Sequence, residues 1–162
     1  MALAVRRRDG YPPRGPVDVG QFFAPPQELA AWVADVDSAL VGHVALHDTG
    51  AGVTMALGTR HTGTPPQQLA LVARLLVGAP ARRRGVARAL LATAVAGAHA
   101  RNRRPILDVA THLDAAVGLY ESCGWDRAGE VTIEFDDQPS LQCYVYIGPA
   151  PGQANRAPVT KP

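Results

Sequence analysis

Ala73-Arg74-Leu75-Leu76-Val77-Gly78-Ala79-Pro80-Ala81-Arg82-Arg83-Arg84-Gly85-Val86-Ala87-Arg88-Ala89-Leu90-Leu91 decides how this chain is read. An apolar, strand-like run ends at Val77, and Gly78 and Pro80 interrupt it. A basic turn containing Gly85 follows, and from Val86 the apolar spacing becomes helical. A strand, a turn with outward-pointing amides and a helix N-terminus form an anion cradle, because the helix dipole places about half a positive charge there. Arg82, Arg83 and Arg84 add longer-range attraction for a polyanion.

Working outward, residues 68–77 are almost continuously apolar, as expected of a central strand covered on both faces. Val86 to about Ala100 reads as a helix, with Ala87, Leu90, Leu91, Ala94, Val95 and Ala98 on one face. Residues 106–111 read as a short buried strand. Residues 115–123 read as a second helix, with Asp114 as N-cap and Gly124 as the stop. Residues 130–135 and 141–147 are two strands joined by a polar turn. Upstream, residues 31–34 and 40–47 form a hairpin about the turn 35–38. Residues 26–30 are expected to make a helical turn. Residues 48–66, rich in Gly, Thr and Pro, read as a surface loop in which 53–57 could extend a strand. The order predicts a mixed sheet with helices packed on it, in the α/β to α+β class.

The chain of 162 residues suits one domain. Residues 1–26 read as an irregular segment packed on it through Phe22 and Phe23, 27–147 as the domain, and 148–162 as a disordered tail. A net charge of +2 is too small to argue for nucleic-acid binding by bulk charge, and no aromatics interleave the arginines. Arg101, Arg103 and Arg104, at the far end of the long helix, read as a solvated cap. Cys123 and Cys143 read as free thiols in a reducing compartment, with no zinc-type pairing. No apolar run approaches the roughly 20 residues of a membrane span, so a cytoplasmic protein without membrane contact is expected.

At Arg82-x-x-Gly85-x-Ala87 the sequence resembles the acyl-CoA-binding motif of the GCN5-related N-acetyltransferases, the GNAT superfamily. The segment 74–77 resembles that family's fourth strand and 107–111 its fifth. Leu119-Tyr120-Glu121-Ser122-Cys123-Gly124-Trp125 resembles its Leu-Tyr-x-x-x-Gly-Phe/Trp segment. The blocks keep family order from about Trp32 to Ile147. The resemblance implies the acyl-CoA N-acyltransferase fold: a mixed, mostly antiparallel sheet flanked by helices, its central strands splayed, here with the first strand and helix truncated.

It further implies acetyl-CoA as cosubstrate, no metal, and acetyl transfer to a primary amine by direct attack in a ternary complex. The acceptor would be a small-molecule or protein amine, and a homodimer is compatible. The amides of Arg82, Arg83, Arg84, Gly85, Val86 and Ala87 would hold the pyrophosphate, with Arg88 in reach. The backbones of Leu75, Leu76 and Val77 would pair with pantetheine, a bulge there aiming an amide at the thioester carbonyl. Tyr120 would be the general acid.

Three positions depart from the family pattern: Arg83 stands where many members carry Gly, His112 where many carry Asn, and Leu71 where many carry a basic Glu. His112 could replace Asn as a donor to the cosubstrate or sit at the surface. A water-mediated base, or deprotonation by solvent, is expected in place of that Glu, and His43 is one candidate base, because its strand neighbours the fourth strand in this family and imidazole titrates near neutrality. A histidine packed in a strand is the competing reading. Asp108 reads equally as an acceptor contact or a structural hydrogen bond, and Cys123 as packing rather than an acyl carrier. The absent carboxylate at Leu71 motivates an alternative, a non-catalytic acyl-CoA-binding module.

Overall fold

A computed structural model describes residues 25–136 and 138–152. In chain order it contains β1 (Glu28–Val36), β2 (Ala39–His47), α1 (Gly52–Thr62), β3 (Leu69–Val77), α2 (Val86–His99), β4 (Arg104–Ala110), α3 (Asp114–Ser122), β5 (Asp126–Phe135) and β6 (Gln138–Ile147). One sheet runs in the order β1-β2-β3-β4-β6-β5. It is mixed: β1–β2, β4–β6 and β5–β6 are antiparallel and β3–β4 is parallel. This is the acyl-CoA N-acyltransferase fold. The first strand and helix expected to be truncated, with Phe22 and Phe23, fall outside the described residues. The described chain forms two compact units. The first holds the described residues up to Asp48 with Val72–Gly97; the second holds Thr49–Leu71 and the described residues from Ala98 on.

In the first unit, β1 and β2 pair from Glu28↔His47 to Val36↔Ala39. Their two-residue turn, Asp37 and Ser38, has φ of 51° and 65°, the two positive values that a tight type I′ hairpin requires. Both strands are therefore longer than expected, and residues 28–30 are strand rather than helical turn. Trp32, Ala34, Gly42, Val44 and Leu46 share a face, because in-register partners do. α2 lies on that face so closely that a Cβ on Gly97 would stand 2.3 Å from Trp32 Cη2. His43, Ala45 and His47 alternate onto the other face and are buried.

In the second unit, α1 replaces the expected loop at 48–66. It buries Thr54, Met55 and Gly58. A Cβ on Gly58 would lie 3.3 Å from both Ile106 Cδ1 and Leu69 Cδ1. A helix that docks through a threonine and a glycine leaves no apolar stripe, and that hides it from a periodicity reading. The basic cap is also not purely solvated: Arg103 Nη1 donates to Leu69 O at 3.1 Å and Arg104 Nε to Gly148 O at 3.3 Å. Arg103 thus ties down the start of β3, and Arg104 the residue that follows β6. Among the described residues no helix is long and apolar enough to cross a membrane.

Candidate active site

β3 is an apolar strand with one irregularity. Arg74 has φ of 55°, left-handed backbone in which a side-chain-bearing residue is strained. Among the described non-glycine residues with positive φ, it alone lies inside a strand. This break, one residue before the expected bulge at 75–77, is held from β2. His43 Nδ1 lies 3.1 Å from Arg74 O. A carbonyl only accepts, so Nδ1 carries the proton of this bond. The Arg74 guanidinium in turn donates from Nη1 to His47 Nε2 at 3.2 Å. Burial first, and the Arg74 charge second, push the His47 pKa down to about 4. It is therefore a neutral acceptor at physiological pH.

Beyond β3, Gly78 N donates to Val41 O at 2.9 Å, which fixes the chain as it leaves the sheet. Arg82 Nε turns back to Val77 O at 3.2 Å and braces the turn. Arg83 and Gly85 have φ of 58° and 81°. The carbonyl of Gly85 accepts the first helical bond, from Ala89 N at 3.0 Å, so Gly85 is the N-cap of α2. Val86 and Ala87 are its first helical residues, whose amides a helix leaves without intrahelical partners. A Cβ added to Gly85 meets no atom within 4 Å, so the space beside this residue is open. Arg83, Arg84 and Arg88 are exposed around them. The strand end, bulge, turn and helix start all belong to the first unit.

Tyr120 and His112 belong to the second unit. His112 is exposed in the turn after β4. Tyr120 is buried, its ring centroid 6.0 Å from that of Trp125 and 5.9 Å from that of Tyr146. The Leu-Tyr-x-x-x-Gly-Trp pattern is first a helix terminus. Gly124, φ 75°, donates to Glu121 O at 3.0 Å, and Trp125 N donates to Tyr120 O at 3.1 Å. That pair of bonds is the Schellman motif, completed by the apolar contact of Trp125 on Tyr120. The N-terminal expectation is corrected: Leu113 occupies the cap position without a side-chain bond, and Asp114 is the first-turn acid.

A second network fixes α3 to β5 and β6. Tyr146 OH donates to Glu121 Oε1 at 2.9 Å and accepts from Arg127 Nε at 3.0 Å. Arg127 also pairs with Glu121 and stacks 4.0 Å over the Tyr144 ring. The hydroxyl of Tyr146, then Arg127, hold the Glu121 carboxyl below its usual range. On the opposite face of β4, Thr54 Oγ1 donates to Asp108 Oδ2 at 2.8 Å. Burial raises the Asp108 pKa, against the pull of the Thr54 bond. Sequence reasoning missed this pair, the Arg74–His47 bond and the Glu121 network. For the Arg74–His47 bond a signal was available, an arginine inside an apolar strand.

The sequence matches the acetyltransferase (GNAT) family over residues 3–125. A search of curated proteins finds no match. Solved structures share the fold. Arabidopsis thaliana NAA60 in complex with a bisubstrate analogue has 20% identity and a TM-score of 0.63, covering 90% of this chain and 89% of that one. The ribosomal-protein-S18-alanine N-acetyltransferase from Escherichia coli has 15% identity and a TM-score of 0.58, covering 83% and 77%. A putative acetyltransferase from Salmonella typhimurium with its cofactor acetyl-CoA has 13% and 0.58, covering 76% and 66%. At these identities the structural likeness speaks for the fold. The fold is that of the acyl-CoA N-acyltransferases. The family match over most of the length makes the assignment specific: the chain belongs to the acetyltransferase (GNAT) family.

Proposed function

We propose that this protein is an N-acetyltransferase that moves the acetyl group of acetyl-CoA to a primary amine by direct attack. The observation that carries this reading is the cradle before α2. Its backbone is left-handed at Arg83 and Gly85, and the space beside Gly85, at the N-terminus of α2, is open. Amides so arranged hold a pyrophosphate. Arg83, Arg84 and Arg88 supply cationic charge beside it, while Arg82 contributes its amide and braces the turn. Beyond Leu71 the register of β3 with β4 does not continue, so Leu75, Leu76 and Val77 are the backbone assigned to pairing with pantetheine. The break at Arg74 re-aims an amide toward the thioester oxygen, where it stabilises the tetrahedral oxyanion. Tyr120 protonates the departing thiolate. His43, bound to the Arg74 carbonyl, acts in this scheme by holding the break as well as by offering Nε2 as a base. His112 is assigned as a donor to the cosubstrate.

The acceptor is a primary amine. Calorimetric titration with acetyl-CoA, followed by measurement of CoA release with a panel of amines, tests the reading. Expected are binding that Gly85→Glu abolishes and turnover that Tyr120→Phe lowers. Binding without turnover on any amine would leave the acyl-CoA-binding module as the function; retention of binding by Gly85→Glu would overturn the cradle.

A further inference from the structure

Arg74 holds left-handed backbone, φ 55°, in the middle of a strand. Strain of this kind persists only where the surroundings over-determine it. Here both ends of the residue are tied to β2. Its carbonyl accepts from His43 Nδ1 at 3.1 Å, and its guanidinium donates from Nη1 to His47 Nε2 at 3.2 Å. The two histidines share one face of β2, about 13 Å apart at 3.3 Å per residue. Both are buried, so packing fixes the two anchor points. His43, His47, Arg74 and Leu75 all lie in the first unit.

The geometry of the peptide group decides what these ties control. The Arg74 carbonyl and the Leu75 N–H belong to one planar group, and in a trans peptide they point in opposite directions. With the carbonyl turned to the His43 ring, the Leu75 N–H points away from that ring. The His43 bond by itself leaves the group free to turn about the axis of that bond. A second tie, at the far end of the Arg74 side chain, removes this freedom.

We propose that His47 is a positioning residue for acetyl transfer: by anchoring the Arg74 guanidinium it fixes the peptide group after Arg74, whose Leu75 N–H meets the thioester oxygen. The role rests on the acetyltransferase reading. His47 suits it because the ring is neutral. Burial, then the Arg74 charge, hold its pKa to about 4, and the opposing pull of the Asp48 charge is outweighed. Nε2 therefore keeps the lone pair that the guanidinium needs. An imidazolium would carry donors on both nitrogens and could accept nothing. Losing an oxyanion donor outright costs roughly 100- to 1,000-fold in rate. Releasing one of the two ties that aim it should cost less, about tenfold or more. The pyrophosphate cradle is built from residues further along the chain, so cosubstrate affinity should not follow the rate.

The test uses the full chain, acetyl-CoA and a panel of amines that includes spermidine, lysine and a short peptide with a free N-terminus. Single-turnover rates are measured with the amine that the wild type acetylates fastest. His47→Leu is expected to bind acetyl-CoA within about threefold of wild type while its transfer rate falls about tenfold or more. His47→Gln, which restores an acceptor, should return the rate to within about threefold of wild type, a rescue that mere filling of space would not produce. Arg74→Met cuts the same tie from its other end. It should be as slow as His47→Leu, and the double variant no slower than either, because the two changes remove one interaction. A His47→Leu rate within about threefold of wild type, a His47→Gln as slow as His47→Leu, or losses that multiply in the double variant would overturn the assignment and leave the acetyltransferase reading standing. If His47→Leu failed to fold, an unslowed Arg74→Met or a His47→Gln slowed about tenfold would overturn it. Tight acetyl-CoA binding by the wild type with no turnover on any amine would overturn both.

Discussion

Two residues of the loop before α2 sit in left-handed backbone, and one of them, Arg83, carries a side chain there. Left-handed backbone costs a chiral residue roughly 1–2 kcal/mol, which glycine avoids. Gly85→Ala should therefore lower stability by roughly 1–2 kcal/mol in thermal unfolding and weaken acetyl-CoA binding further, because its Cβ enters the space assigned to phosphate. Arg83→Gly should leave stability within about 1 kcal/mol, relief of strain offsetting added unfolded-chain entropy. Its acetyl-CoA affinity should fall modestly and become less salt-sensitive.

His47 makes a second residue-level prediction. An unfolded histidine protonates near its ordinary value of 6.5 and this one only near 4. Between those values the unfolded chain holds more protons, so stability is full above about pH 6.5 and falls as pH drops toward 4, by on the order of 3 kcal/mol in all. His47→Gln keeps an acceptor for Arg74 and removes the titration. Its stability should vary less than wild type's across that window, and equal slopes would refute the assignment.

At the scale of elements, the legible ones are those whose sequence carries their packing. α2 shows its apolar face in Leu90, Leu91, Ala94 and Ala98, all buried as the spacing requires. β3 is apolar apart from Arg74, with Leu69, Ala70, Leu71, Val72, Leu76 and Val77 buried. The hairpin turn is legible but the full length of its strands is not, since Val33, Val36 and Leu40 face outward and blur the alternation. α1 is illegible for the opposite reason: of its three buried residues, Thr54 and Gly58 signal a loop when read by type, and only Met55 is apolar. Close approach also decides the α2–β1 contact. In Gly97→Ala the new Cβ would overlap the Trp32 ring, and neither the helix nor the strand can yield cheaply. A loss of roughly 1–3 kcal/mol is expected from chemical denaturation, the range for overpacking.

At the scale of the molecule, the donor side is readable in sequence and the acceptor side is not, for a physical reason. Phosphate recognition uses backbone, and the glycine, proline and arginine that shape it mark themselves in sequence. The bond of Thr54 to Asp108 joins side chains from a helix and a distant strand, a pairing that no local spacing records. The chemistry that follows has a kinetic signature. Cys143 is buried and held to a pKa of about 12, so at neutral pH almost none of it is the thiolate that an acyl carrier needs. Cys123, in turn, is the C-cap residue of α3. In the direct attack proposed above, both substrates are bound before the C–N bond forms. Initial velocities measured against acetyl-CoA at several amine concentrations should therefore give intersecting reciprocal lines. Protein incubated with acetyl-CoA alone should show no acetylated mass, and Cys143→Ala should keep its turnover. Parallel lines together with an acetyl-bearing protein would establish a double displacement and refute direct attack.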